Sequence, residues 1–242
     1  MSQDAKADEL RRLHLEPPIL VLPNAWDVGS ALELAALPGC RALATTSAGV
    51  ASCLGWEDGE RTPVDEMVRA CARIAAAVDV PVTADLERGY GDPAGTARAA
   101  WQGGLVGINF EDSTNGALVP VDEQVAAIRA IRAAVPQLVL NARIDVFLRR
   151  AGGVEETVER AHAYLGAGAD CVYPIFCPTE AIADLARGID GPMNVLALPG
   201  VPGPRELQEL GVARLTWGSG LANLAYAAAA RVAGAALAPA SA

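Results

Sequence analysis

What most constrains this chain is an unbroken alternation: short β-rich runs and amphipathic helical stretches succeed one another from end to end. The runs ILVLPN (19–24), RALATTS (41–47), PVTADLE (81–87) and LVGINFED (105–112) read as buried parallel strands. So do QLVLNARI (137–144), DCVYPIF (170–176), MNVLALP (193–199) and VARLTWG (212–218). Helical periodicity fills the intervals at roughly 28–37, 63–78, 93–103, 121–135, 154–167, 180–187, 204–210 and 221–236. Punctuation agrees: Asp92-Pro93 opens one helix, Thr179 is a cap candidate for another, and Gly103-Gly104 closes a third. Eight strand–helix pairs in 242 residues are what a (β/α)8 barrel requires. The alternative, an open doubly wound sheet, usually carries a glycine-rich turn after its first strand, and here that turn reads Pro23-Asn24-Ala25-Trp26-Asp27. Composition shows no linker-like break before the closing APASA. The chain therefore reads as one domain, 1–242, with a polar leader at 1–17 and a tail at 237–242.

Scarce residue types narrow the chemistry. The only lysine is Lys6, in the leader, so a Schiff-base aldolase has no lysine for its pocket. The only histidines are His14 and His162, which excludes a histidine-rich zinc site. The five cysteines, at 40, 53, 71, 171 and 177, are odd in number and form no CxxC pair. They read as reduced core residues of a cytoplasmic protein. A formal charge of −10 argues against nucleic acid or anionic lipid as a partner. The N-terminus lacks the apolar core of a secretory signal. The apolar stretch 221–238 contains Asn223 and Arg231, so it reads as a packed helix and not a membrane span.

In a barrel of this kind reactive groups sit at the C-terminal ends of strands. The second strand ends in Thr45-Thr46-Ser47-Ala48-Gly49, whose hydroxyls and amides suit a carboxylate, and Asp58 follows in the next loop. The third ends in Asp85-Leu86-Glu87, two carboxylates at i and i+2 and so on one face of a strand. The fourth ends in Glu111-Asp112 and the fifth in Asn141-Ala142-Arg143-Ile144-Asp145. Converging carboxylates repel one another unless a cation neutralises them, and oxygen ligands without histidine suit Mg2+ or Mn2+. Arg143 offers a fixed cationic fork for a substrate carboxylate. Each residue also has a plainer reading. Asp85 and Glu87 can cap the following helix, Glu111 can begin a solvated loop, Arg143 can pair with Asp145, and Asp58 can be a turn aspartate. Their joint placement at successive strand ends favours the site.

At these residues the sequence resembles the isocitrate lyase/phosphoenolpyruvate mutase superfamily. The matching pieces are NAWDVGSA, ATTSAGVASCLGWEDG, VTADLERGYGD, GINFEDS, LNARIDVF and GVARLTWGSG, in order along nearly the whole chain. The resemblance implies a (β/α)8 barrel that binds a divalent metal and a 2-oxo acid or its enolate. It also implies a homodimer or homotetramer with exchange of the last helix between subunits. Carried over position by position, Asp85 corresponds to the direct metal ligand, and Asp58, Glu87 and Glu111 to carboxylates that hold metal-bound waters. Thr46, Ser47 and Ala48 correspond to the segment that binds the 2-oxo acid carboxylate, and Arg143 to the arginine that contacts the substrate and the developing enolate.

The departures matter as much. Isocitrate and methylisocitrate lyases carry a catalytic cysteine in the loop after the fourth strand. Here that loop is STNGALVP (113–120), without Cys, Lys or His. The longer gating loop of the mutases is absent, with Thr114-Asn115 a faint match. At the end of the sixth strand, where the lyases have a glutamate and the mutases a histidine, this chain has Ile175, with Cys177 nearby. The leading expectation is a Mg2+-dependent lyase or decarboxylase acting on a small 2-oxo or 2-hydroxy acid through an enolate, with Arg143, Glu111 and Tyr90 as catalytic candidates. Tyr90, if directed inward, is the candidate proton donor beside metal-bound water. The alternatives are C–P chemistry on phosphonopyruvate or a carboxyphosphonoenolpyruvate, a non-catalytic 2-oxo acid binder, and a phosphate-ester barrel enzyme using the glycines of LPGVPG and WGSG.

Overall fold

Strands that are apolar along their whole length need cover on both faces, which a closed parallel sheet ringed by helices supplies. The computed structural model describes residues 1–237, so the expected tail lies outside it except for Leu237. Its strands are β1 (Leu20–Leu22), β2 (Asn24–Ala25), β3 (Leu43–Thr45), β4 (Val82–Asp85) and β5 (Gly107–Glu111). They continue with β6 (Ser113–Thr114), β7 (Ala117–Leu118), β8 (Val139–Ile144), β9 (Cys171–Pro174), β10 (Asn194–Leu196) and β11 (Arg214–Thr216). Parallel pairing runs β2-β3-β4-β5-β8-β9 and β1-β11-β10, and a parallel bridge between Val172 and Met193 joins β9 to the β10 segment. Because β1 and β2 are one strand interrupted at Pro23, the circuit closes as a barrel of eight positions. The fold is the expected (β/α)8 type.

Register sets the site. Asp85 lies beside Asn109, and Glu111, Arg143 and Tyr173 lie side by side across β5, β8 and β9. The loop 113–120 is a hairpin, β6 to β7, whose Asn115-Gly116 turn has φ of 49° and 82°. That pair of left-handed residues is what a tight two-residue turn demands.

The expected helices form at Val28–Ala35, Val64–Ala76, Pro93–Gln102, Val121–Ala134, Val154–Gly166, Ile182–Gly188, Pro204–Glu209 and Gly220–Leu237. Asp92 caps its helix, accepting from Gly95 N at 2.9 Å. Thr179 does not cap: it begins a 3-10 turn, Thr179–Ala181, with no side-chain cap bond. Three further helices, Gln3–Leu15, Ser47–Leu54 and Val146–Arg149, lay outside the periodicity reading. The first of them corrects the polar leader. Ala7, Leu10 and Leu13 are buried against Leu20, Leu22, Ala42, Val106 and Val139, so the helix plugs the N-terminal end of the barrel. Its charge hid the apolar stripe that this spacing makes. Lys6, on the same helix, donates to Val78 O at 3.2 Å.

The C-terminal helix departs from the packed helix expected. Only Ala222 on it is buried, while Leu224, Val232 and Leu237 are 67%, 70% and 83% exposed. Beyond its first turns it runs off the barrel, held where Tyr226 meets Trp26 edge-on. Among the described residues it is the one helix long and apolar enough to cross a membrane on length and composition. The cysteines are free thiols; Cys71, Cys171 and Cys177 are core residues, Cys40 is half-buried, and Cys53 is exposed with its sulfur 3.1 Å from the Tyr226 hydroxyl.

Candidate active site

Asp85 ends β4 and points into the rim. Its Oδ2 accepts from the Ser47 amide at 3.3 Å and the Ser47 hydroxyl at 3.0 Å, and its own amide donates to Thr45 Oγ1 at 3.1 Å. Its Oδ1 is buried with no hydrogen-bond partner. A buried carboxylate oxygen without a donor is costly, and this one lies where a cation would complete it. Ser47 begins an eight-residue helix whose N-cap is Thr46. Gly49 lets this helix start lie close, because a Cβ there would meet the Trp26 Cβ at 2.8 Å. Thr46, Ser47, Ala48, Asp58, Asp85 and Arg143 line one cavity of about 950 Å3.

Arg143 is clamped. Its Nε donates to Asp145 Oδ1 at 2.7 Å, a second nitrogen reaches Asp145 Oδ2 at 3.0 Å, and the same nitrogen meets Glu111 Oε2 at 2.5 Å. Asp145 is fully buried and also accepts from Ser113 Oγ, while its amide donates to buried Asp112 at 2.8 Å. Asp112 in turn accepts from Tyr164 at 2.8 Å and Arg160 at 3.2 Å. The structural pair Arg143–Asp145 and the cavity-lining role of Arg143 therefore coexist. Burial alone would favour a neutral guanidinium, but Asp145 and Glu111 hold it firmly charged.

Glu87 reaches the cluster by a different route from the one the sequence suggested. The strand ends at Asp85, and Glu87 sits at φ 50°, so strand alternation does not place it. It is buried, with Oε2 accepting from the Glu60 amide at 2.6 Å and Oε1 from the Tyr90 hydroxyl at 2.8 Å. Glu60 was not singled out in the sequence. Its Oε1 accepts from the Tyr90 amide at 2.6 Å, and Glu60, Glu87 and Tyr90 all have positive φ. Tyr90 is thus turned toward Glu87 and does not line the cavity, so the inward orientation on which its role as proton donor depended is not met. Asn24, also missed, is buried and ties the last barrel loop to the first, accepting from Trp217 N at 2.8 Å and Gly218 N at 3.1 Å. A glutamate inside GWEDGE and an asparagine at a strand end carry no distinguishing local signal.

Crowding shows in the proton affinities. Burial, then the charges of Asp58 and Asp85, pushes Glu87 up to about 7 against its bond from Tyr90. Burial pushes Glu111 up to about 8, opposed by Arg143 and reinforced by Asp145, Asp85 and Glu87. Asp58 is raised by desolvation and by Asp85. Asp58, Glu87 and Glu111 share a second cleft of about 280 Å3 with Arg61, Arg88 and Arg149. Among the described residues no three His, Cys, Asp or Glu side chains form a ready metal nest. The donor set fits a hard cation with one direct carboxylate, Asp85, and the rest of its shell in water, a shell that Mg2+ accepts. Cys177 is buried, its thiol pushed up to about 11, and neither histidine lines the cavity. His14 is buried with Nδ1 on Leu10 O at 2.7 Å, and His162 bonds Gly188 O on the outside.

Comparison with known proteins follows the same lines. The family model for phosphoenolpyruvate phosphomutase matches residues 10–237. An uncharacterized protein of Mycobacterium tuberculosis is 40% identical over 210 residues, 86% of this chain and 80% of its own length. The 2-methylisocitrate lyase of Bacillus subtilis is 31% identical over 185 residues, covering 72% of this chain and 60% of that enzyme. The solved structure of oxaloacetate acetylhydrolase with its product oxalate aligns with a TM-score of 0.85 at 27% identity, covering 94% of this chain and 85% of that one.

Proposed function

The chain belongs to the isocitrate lyase/phosphoenolpyruvate mutase superfamily, and from that premise we propose that it is a Mg2+-dependent lyase or decarboxylase. It cleaves a C–C bond of a small 2-oxo or 2-hydroxy carboxylic acid by way of an enolate. The carrying observation is the unpartnered Asp85 Oδ1, buried in the cavity that Arg143 and the helix start at Thr46–Ala48 also line. Bound Mg2+, with Mn2+ as a substitute, supplies Lewis-acid stabilisation of charge on the ketone and carboxylate oxygens. The amides of Ser47 and Ala48, at a helix N-terminus, suit the substrate carboxylate. Arg143, held rigid by Asp145 and Glu111, offers fixed positive charge where negative charge develops. Tyr90 and Glu60 position Glu87 rather than touch substrate. With no Cys, His or Lys on the cavity wall among the described residues, the enolate takes its proton from solvent.

The test is turnover of a panel of 2-oxo and 2-hydroxy acids, oxaloacetate included, in Mg2+ and after chelation. Turnover of at least one member that is lost with EDTA supports the reading; no chelator-sensitive turnover of any member counts against it. The match to the phosphomutase model favours a second reading, C–P chemistry on phosphonopyruvate, which phosphorus NMR distinguishes. The exposed apolar C-terminal helix favours a homodimer or homotetramer in which a second copy of the chain covers it, and the likeness to 2-methylisocitrate lyases favours a soluble, cytoplasmic protein.

A further inference from the structure

Away from Asp85 the cavity changes character. Beyond the residues of the Asp85 end its lining is mostly apolar, Leu148, Ile175, Phe176, Leu196, Leu198 and Trp217, with Ser219 and Asn223 as neutral polar members. Among the described residues Arg143 is the one cationic side chain lining it, and its Nε and one terminal nitrogen are held by Asp145 and Glu111, which leaves the other terminal nitrogen for the carboxylate at the Asp85 end. Phe176 is held there against its own preference: it lies just past β9 at φ 55°, a conformation rarely adopted by a bulky residue, and is 47% exposed at the opening. Leu198, 38% exposed, comes from the loop after β10 and lines the same wall. A second carboxylate placed in this half would lose water without gaining a cation. An alkyl or aryl group would bury apolar area against six side chains.

We propose that this apolar wall is a subsite for an uncharged hydrocarbon substituent, so that the preferred substrate is a 4-hydroxy-2-oxo monocarboxylate and not a dicarboxylate. Its C3–C4 bond breaks, the tail leaves as an aldehyde with the hydroxyl proton passing to solvent, and the electron pair stays on C3 as the enolate. The inference rests on the 2-oxo acid reading of the Asp85–Arg143 end. It is tested by calorimetric binding to the full chain in Mg2+, using oxalate, 2-oxobutanoate, 2-oxopentanoate, 2-oxohexanoate and 2-oxoglutarate as probes. Affinity is expected to rise about fourfold per methylene along the alkyl series, with 2-oxoglutarate binding at least tenfold more weakly than 2-oxopentanoate. The variant Leu198→Arg is expected to reverse that ranking. A flat alkyl series overturns the proposal. So does tighter binding of 2-oxoglutarate, which would direct its second carboxylate to Arg61 and Arg149 in the neighbouring cleft. Either failure with oxalate still bound leaves the 2-oxo acid reading standing, whereas no binding of oxalate or of any 2-oxo acid removes both.

Discussion

Asp85 Oδ1 and the Tyr90 hydroxyl separate two kinds of residue at this site. The first is unsatisfied and aimed at a ligand; the second is spent on Glu87. Replacing Asp85 with Asn should weaken Mg2+ binding by more than the roughly 10–100-fold that loss of a supporting partner causes, read by calorimetry on folded protein. Tyr90→Phe should lower kcat by about tenfold or less, against the roughly 10²–10⁴-fold expected for removal of a proton donor. Strand-end position made Asp85, Glu111 and Arg143 legible, because parallel register alone brings Glu111 beside Arg143. The orientation of Tyr90 was not legible. It depends on left-handed backbone at three non-glycine residues, Glu60, Glu87 and Tyr90, and the neighbouring Gly59, Gly89 and Gly91 mark turns without saying which way the side chains face.

At the scale of elements, the N-terminal helix is the clearest case of a pattern overridden by composition. Its charged residues face outward while Leu10 and Leu13 close the barrel floor. Leu10→Ala should destabilise the protein by about 2–5 kcal/mol, measured by denaturant unfolding. The same helix carries His14, which burial and then the nearby Arg214 charge lower to about 4. The native state then binds fewer protons than the unfolded chain between those pH values. Its contribution is complete above about 6.5 and is lost as pH falls toward 4. Relative to His14→Gln, the wild type should lose on the order of 3 kcal/mol across that window, at about 1.4 kcal/mol per pKa unit. Eight of the ten later helices were readable because their apolar spacing coincides with clear boundary signals, such as Asp92-Pro93. The Ser47–Leu54 helix was not, since a run of small residues is as much a loop signal as a helix signal.

For the whole molecule, the charge of −10 acquires a location. Part of that formal count falls on a buried rim, where Glu87 and Glu111 instead hold protons to about 7 and 8 when no cation is bound. Those raised values mean that their contribution to folding is complete below the unfolded carboxylate range and is lost as pH rises through 7 to 8. Metal-free protein should therefore melt at progressively lower temperature from about pH 4.5 up to about 8, and Mg2+ should restore the loss increasingly as the pH rises. A melting series with EDTA and with Mg2+ checks the sign. The apolar helix left bare on one chain gives the fold a reason to associate, and light scattering should find more than one copy per particle. The central claim is that Asp85 and Arg143 act on one 2-oxo acid through a divalent cation. The most direct measurement is a crystal structure with Mg2+ and oxalate, an enolate mimic. Mg2+ is expected within about 2.1 Å of an Asp85 carboxylate oxygen, with oxalate touching both the ion and Arg143. Oxalate bound elsewhere, or an ion that leaves Asp85 untouched, would contradict it.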